Sequence, residues 1–371
     1  MAVVTVEEAL QLWEKALDTQ VYKVEMIDVK SAKGYVLAED IVAPTDVPAF
    51  SKSAMDGYAI AFSADCNEYI VDGVIGAGVV WEQPVAPGHA VRIMTGAPIP
   101  DTCDTVIMQE QVVGSGEPGT TITMQGKYKC GDHIIPQGEE CSAGTIVIPR
   151  GTEVTSTVQT VLTGLGLTEI AVNAMPRVLV LTSGHEVIEP GESLTAGKIY
   201  NSNRAMICGL LEDLGFHKIT HYHVSDAPEE LDSEINHVLQ LSEDADIIIS
   251  SGGVSVGLFD TMPLIYEKLG AKSIYERIQM RPGAASYGAV TPKGQIIFGL
   301  SGNPGAAFNG WHLIVAPTLK RYKGLKNWTT PVVACVMDSE IFKRNAFDRY
   351  VQGKVIFGGW APRFVANRHF N

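Results

Sequence analysis

Three short glycine-containing turns, Thr182-Ser183-Gly184, Ser250-Ser251-Gly252-Gly253 and Ser301-Gly302-Asn303-Pro304, each follow an apolar run. Small residues let backbone amides approach an anion, and helix N-termini after such turns favour negative charge. Tight packing at a turn is the alternative for any one of them. None of the three reads as a Walker loop or as Gly-x-Gly-x-x-Gly. Glu186, Asp226 and Asp260 sit close behind runs of the same region. Three carboxylates beside an anion suit a magnesium ion or acid–base chemistry. Asp226 and Asp260 also precede helical stretches, where each could be an N-cap. Arg277 and Arg281 share a face if the segment is extended. Their forks suit phosphate or a tetrahedral oxyanion, with surface salt bridges as the plainer use. His221 and His223 also share a strand face. No third metal ligand is near them in sequence, so they read as ordinary histidines. His185 adjoins Glu186 without a readable Ser-His-Asp pattern.

The first half of the chain has a different grammar. Ser53-Ala54-Met55-Asp56-Gly57-Tyr58-Ala59 and Arg92-Ile93-Met94-Thr95-Gly96-Ala97-Pro98-Ile99-Pro100 stand out. Asp56-Gly57 is a turn pair, and the Thr95 amide and hydroxyl could face a ligand from a loop. Taken alone, both segments read as turns.

The elements that must position these residues follow from periodicity. Thr5-Val6-Glu7-Glu8 is a capping box opening a helix to Leu17, with apolar residues at helical spacing. From Ile41 to Pro149 short β-rich runs alternate with Gly and Pro, which predicts one or two all-β units. A helix is expected over about Thr155 to Leu165. From Arg177 apolar strands alternate with helices: strands at Val178–Leu181, Lys218–Val224, Asp246–Ile249 and Ile296–Phe298, and helices near Asn203–Leu214, Pro228–Leu241, Asp260–Leu269 and Gly305–Tyr322. That alternation predicts parallel βαβ units, whose ligands lie beyond the carboxyl ends of the strands. Short strands follow Lys326.

The 371 residues suggest two or three domains. Lys+Arg is 28 against Asp+Glu 42, a formal net charge of -14, which argues against a nucleic-acid surface but leaves room for a local cationic pocket. No apolar stretch is long enough to span a membrane, and the N-terminus lacks a cationic signal region. The six cysteines form no Cys-x-x-Cys pair and read as reduced thiols of a cytoplasmic protein.

Five ordered motifs, SAMDGYA, RIMTGAPIP, TSGHEV followed by KIYNSNR, SSGGVSVG-x-x-D and LSGNP, make the chain resemble the MoeA-type molybdopterin molybdenumtransferases, a family related to the E domain of gephyrin. The resemblance implies an α/β multidomain, elongated subunit. A βαβ three-layer molybdopterin-binding domain would cover 173–326. A discontinuous linker and dimerisation domain would cover 1–45 and 146–172, with a β-rich domain at 46–145 and a short C-terminal β domain at 327–371. It implies a cytoplasmic homodimer that inserts molybdate into adenylated molybdopterin with magnesium, releasing AMP, with other cofactor-biosynthesis proteins as further partners. The family forms its cleft between the βα domain of one subunit and the β-rich domain of the other.

By motif, Asp56 and Thr95 match cleft residues of the β-rich domain. Glu186, Asp226 and Asp260 match the catalytic, magnesium-holding carboxylates. Ser251, Gly252, Gly253 and Ser255 match the ligand loop, with Ser301, Asn303 and Pro304 beside it. Arg277 and Arg281 stand where the family usually has lysines, and Ala284 where it has a further one. The chain also reads Ser183-Gly184-His185-Glu186 for the family's TGDE, and Leu300-Ser301-Gly302-Asn303-Pro304 for its LPGNP. A non-catalytic pterin- or nucleotide-binding scaffold of the same fold is the second reading. A generic nucleotide hydrolase, suggested by the βα pattern alone, is the third.

Overall fold

A computed structural model describes residues 3–225, 227, 229–253, 261–338, 346–358 and 361–367. The chain divides into two compact units. The larger comprises the described parts of Met1–Glu39, Arg150–Leu162 and Leu167–Asn371, and the other Asp40–Pro149 with Thr163–Gly166.

Helix α1 (Val6–Leu17) opens on the expected capping box. The Glu8 amide donates to Thr5 Oγ1 at 3.1 Å, and the Thr5 amide to Glu8 Oε2 at 2.8 Å. Val6, Ala9, Trp13 and Leu17, three or four apart, form its buried stripe. Strand β1 (Val24–Asp28) follows.

The inserted unit carries β2 (Gly57–Ile60), β3 (Glu68–Ile75), β4 (His89–Ile93), β5 (Thr105–Met108), β6 (Val112–Val113) and β7 (Thr121–Met124). They form one six-stranded sheet in the order β5-β2-β4-β3-β7-β6. Both faces are covered: Ala59, Ile75, Val91 and Val106 pack in one cluster, Tyr58, Ile60, Tyr69 and Ile107 in another. Gly114-Ser115-Gly116-Glu117-Pro118-Gly119 has Gly-x-Gly-x-x-Gly spacing, but it links the antiparallel strands β6 and β7. It therefore offers no helix N-terminus to a dinucleotide.

Helix α2 (Ser156–Gly164) precedes β8 (Glu169–Asn173), which pairs antiparallel with β1. Then comes the alternation predicted from sequence: β9 (Val178–Ser183), α3 (Ser202–Asp213), β10 (Ile219–Val224), α4 (Leu231–Ser242), β11 (Ile247–Ser251), α5 (Met262–Lys268), β12 (Lys272–Tyr275), β13 (Tyr287–Val290), β14 (Ile296–Leu300), α6 (Pro304–Gly310) and α7 (Ala316–Tyr322). The sheet order is β10-β9-β11-β14-β13-β12. The first four strands are parallel; β13 pairs antiparallel with β14, and β12 antiparallel with β13.

Every residue of β9, β11 and β14 is buried, because helices cover both faces. Val178, Val180, Ile247, Ile249 and Phe298 face one core with α1, α3 and α7, and Trp13 lies 4.7 Å from Phe298 between ring centroids. Leu179, Leu181, Ile248 and Ile297 face the other with α4 and α5. The helix expected over Gly305–Tyr322 is interrupted by a π-helical stretch, Trp311–Val315. Pro317 follows at once; it has no N–H to continue the ladder, and the wider turn accommodates the break.

Lys323, 5% exposed, ties three segments of this unit together. Its ammonium donates to the carbonyls of Gly34 and Leu214, both at 2.6 Å, and stands 3.7 Å from Glu153 Oε1. Burial pulls its pKa below the ordinary lysine value, with Glu153 working against that shift. Lys323→Met leaves two carbonyls without their charged donor. The expected loss is about 2–3 kcal/mol, read as a lower urea midpoint. A midpoint equal to that of the native chain would show that removing the buried charge compensates fully.

Candidate active site

The parallel register sets the site. Thr182 pairs with Ser251, and Ser251 with Leu300. The turns after β9, β11 and β14 therefore leave the sheet side by side at its carboxyl rim. Gly252 and Gly253 have φ of +89° and +61°. A Cβ on Gly252 would stand 2.7 Å from the Ser183 carbonyl oxygen, and one on Gly253 2.7 Å from Ser183 Oγ. Only glycine allows the chain to turn this tightly over Ser183.

Polar side chains lock the rim. The Asn203 amide group donates to Ser251 Oγ at 2.8 Å and to the Gly302 carbonyl at 2.9 Å. Ser251 Oγ donates to the Ser301 carbonyl at 3.1 Å. Asn303 Oδ1 caps α6 by accepting from the Ala306 amide at 3.1 Å, and Pro304 is the first residue of that helix. The Ser251 and Asn303 side chains thus hold the turns, while Ser301, Gly302 and Gly253 border the open edge.

Glu186 lies on the segment between β9 and α3, its side chain about half exposed, with Oε2 3.8 Å from His185 Nδ1. The Ile199 amide donates to the Glu186 carbonyl at 2.8 Å, and Lys198 Nζ donates to the His185 carbonyl. Asn201 anchors the end of this segment. Its Oδ1 caps α3 at the Arg204 amide, and its Nδ2 donates to Thr182 Oγ1 at 3.0 Å and Glu189 Oε1 at 2.9 Å. Arg204 holds the other Glu189 oxygen at 2.8 Å.

The two histidines both reach Thr182 Oγ1 at 3.1 Å, His221 through Nε2 and His223 through Nδ1. Burial, with the nearby Arg204 and His223, lowers the His221 pKa to about 4, against the pull of Glu189. Asn201, Asn203, Glu189 and Arg204 carry no role in the sequence reading. The run Asn201-Ser202-Asn203 just before a helix was the available signal.

Arg277 and Arg281 are exposed, on two short strands that pair with Val3–Val4 and Asp348–Arg349 respectively, with Ile278 and Met280 buried between them. Ala284 contributes its carbonyl to the Ile278 amide at 3.1 Å. Asp226, Asp260 and Ser255 lie outside the described residues. The N-cap positions of α4 and α5 are Glu230 and Thr261. Among the described residues no group of three His, Cys, Asp or Glu could hold a metal.

In the inserted unit, Asp56 Oδ1 accepts from both the Thr95 amide at 2.7 Å and the Thr95 hydroxyl at 2.8 Å. These bonds, the amide first, hold the Asp56 carboxyl below its ordinary pKa. The larger unit also has a cavity of about 430 Å³ at the opposite, amino ends of its strands, lined by Lys23, Arg177, Lys218 and Asp246 among others. Its charges are partly spent: the Arg177 amide donates to Asp246 Oδ2 at 2.8 Å, and its guanidinium stands 3.2 Å from Asp244.

Comparison with known proteins places this architecture. A family model described as MoeA N-terminal region (domain I and II) matches residues 4–166, and one described as probable molybdopterin binding domain matches 179–321. A molybdopterin molybdenumtransferase of Staphylococcus epidermidis is 36% identical over 339 residues, 88% of this chain and 78% of that one. The chain belongs to the molybdopterin molybdenumtransferase family. A Staphylococcus aureus enzyme of the same name is also 36% identical, with the same shares covered. The molybdopterin biosynthesis MoeA protein of Pyrococcus horikoshii OT3 superposes with a TM-score of 0.79 at 26% identity, covering 98% of this chain and 89% of that one. The model of the molybdopterin binding domain spans all three turns of the rim. Among the described residues no helix is long and apolar enough to cross a membrane.

The Thr182 network gives a pH signature. The folded His221 pKa of about 4 lies below its ordinary 6.5, so the unfolded chain binds the proton first. Stability is therefore lost as pH falls from about 6.5 towards 4. His221→Gln keeps a polar partner for Thr182 without a titrating group. Its melting temperature is expected to fall less across that window than the native protein's. Parallel curves for the two proteins would remove His221 as a source of acid sensitivity.

Proposed function

We propose that the chain inserts molybdate into adenylated molybdopterin, releasing AMP, as a magnesium-dependent homodimer in the cytoplasm. The observation that carries this reading is the 36% identity to enzymes named for this transfer, over 88% of the chain. The glycine turns at the carboxyl rim supply the surface for the substrate. Gly252, Gly253 and Ser301 bring backbone close to it. Arg277 and Arg281 attract molybdate, a tetrahedral dianion, into a chain whose net charge is -14. Asp56, whose carboxyl the Thr95 amide and hydroxyl hold below its ordinary pKa, is the further residue that the family motif assigns to this reaction.

Glu186, Asp226 and Asp260 are the residues that would hold magnesium. When bound, the ion would offset phosphate charge that an acidic protein otherwise repels. Glu186 is exposed enough at the rim to do so. The segment bearing it is fixed by Asn201, Glu189 and Arg204, so its reach is set before substrate arrives.

AMP release that requires molybdate, measured with adenylated molybdopterin and magnesium, tests the reading. Binding without release would favour a non-catalytic member of the family. Glu186→Gln is expected to lower turnover about 10–100-fold and to raise the magnesium concentration at half-saturation, with an unchanged melting temperature. An unaltered magnesium titration would exclude Glu186 as a ligand. Light scattering of the purified protein is expected to give the mass of two chains; the mass of one would contradict the dimer.

A further inference from the structure

The chain has nine histidines, and several are spent inside the fold. His221 and His223 both hold Thr182. His89 Nδ1 stands 2.6 Å from Asp72 Oδ1, a hydrogen bond that occupies both groups. The rings of His133, His237 and His312 lie against Tyr128, Tyr222 and Phe308. His185 differs. Its Nδ1 faces a carboxylate, Glu186 Oε2, at 3.8 Å, too far for a hydrogen bond, and its side chain is 83% exposed.

Neighbouring side chains of an extended segment point to opposite sides. Here the chain bends at Gly184, whose φ is +131°, and the Glu186 carboxylate folds back over it, Oε2 standing 2.7 Å from where a Gly184 Cβ would be. Lys198 Nζ donates to the His185 carbonyl from the end of the same segment. One imidazole nitrogen and one carboxylate oxygen therefore stand together at the rim, and no described group hydrogen-bonds to either.

The donor set decides what this pair can hold. Two donors on one divalent ion, at bond lengths of about 2.1 Å, stand roughly 3.0–3.5 Å apart. Exposed side chains 3.8 Å apart reach that span by a small rotation. Among the described residues no third such group joins them, so the pair is not a complete cage. An ion that keeps water and substrate oxygens needs only one or two protein donors. Magnesium takes oxygen and has little use for imidazole, whereas first-row transition ions accept both.

We propose that His185 is a nitrogen ligand beside Glu186, and that it makes the ion site of this chain favour a divalent transition metal over magnesium. This rests on the reading of Glu186 as a metal ligand. Glu186 serves either ion; His185 supplies the discrimination.

The test titrates the full chain, His185→Gln, His185→Asp and Glu186→Gln with Mn2+ and with Mg2+ alone, by calorimetry. Mn2+ is the probe because it accepts oxygen and imidazole and stands at the weak end of the affinity series, which limits capture by the six cysteines. His185→Gln is expected to weaken Mn2+ binding about 10–100-fold, with Mg2+ affinity unchanged. His185→Asp, which puts an oxygen in place of the nitrogen, is expected to bind Mg2+ more tightly than the native chain. The electron spin echo of Mn2+ on the native protein is expected to show coupling to a bound imidazole nitrogen, absent from both His185 variants. Equal Mn2+ affinity of the native chain and His185→Gln overturns the proposal. So does a native spin echo without that coupling, or a coupling that survives in His185→Gln and so belongs to another histidine. Glu186→Gln separates the two claims. Weaker binding of both ions in Glu186→Gln, with native titrations in His185→Gln, keeps Glu186 as a ligand and removes His185 alone. Native affinity of Glu186→Gln for both ions refutes the reading on which the proposal rests, and the proposal with it.

Discussion

The two-sided burial of three adjacent parallel strands is the constraint on which the rest depends. Val178–Ser183, Ile247–Ser251 and Ile296–Leu300 expose no residue, and their side chains alternate between two separate cores. A slip of one residue would move every side chain of a strand to the opposite core. Register is therefore strongly held by packing, and register is what brings Ser183, Gly252 and Ser301 to one edge. The rim inherits its geometry from apolar contacts well below it. Trp13, from a helix near the start of the chain, completes one of those cores against Phe298.

Above the apolar layers the site is built from polar groups that mostly serve each other. Thr182 accepts from Asn201 and faces two imidazoles; Asn201 also reaches Glu189, which binds Arg204. A satisfied network of this kind fixes the segment carrying Glu186 without spending Glu186 itself. The same logic separates Ser251 and Asn303, whose side chains are occupied in holding the turns, from Ser183 and Asn203, each of which has an atom without a hydrogen-bond partner among the described residues. A site that preorganises its backbone and leaves a few polar atoms unsatisfied is suited to a ligand that brings the missing partners.

Much of this was legible in the residues. Val178–Leu181 and Asp246–Ile249 read as buried strands because nothing polar interrupts them, and the glycine turns after them read as a rim because parallel βαβ units put those ends together. The capping box at Thr5 is a local pattern with a local cause. What escaped depends on tertiary contact. Asn203 sits in the first turn of a helix, and sequence does not tell that its amide spans two neighbouring strand ends. His221 and His223 read from sequence as ordinary histidines, and their shared hold on Thr182 follows only from strand register. The break at Trp311–Val315 was signalled by Pro317, but helical spacing on either side masked it.

The central claim is that substrate binds at the carboxyl rim of the α/β sheet. Hydrogen exchange on the full chain, with and without saturating molybdopterin, tests it most directly, because the same strands have a second candidate surface at their amino ends. Binding at the rim slows exchange at Ser183–Glu186, Asn201–Arg204 and Gly252–Gly253, and leaves Asn173–Arg177 and Glu243–Asp246 unchanged. Protection confined to the latter two segments, around the cavity of about 430 Å³, would contradict the account.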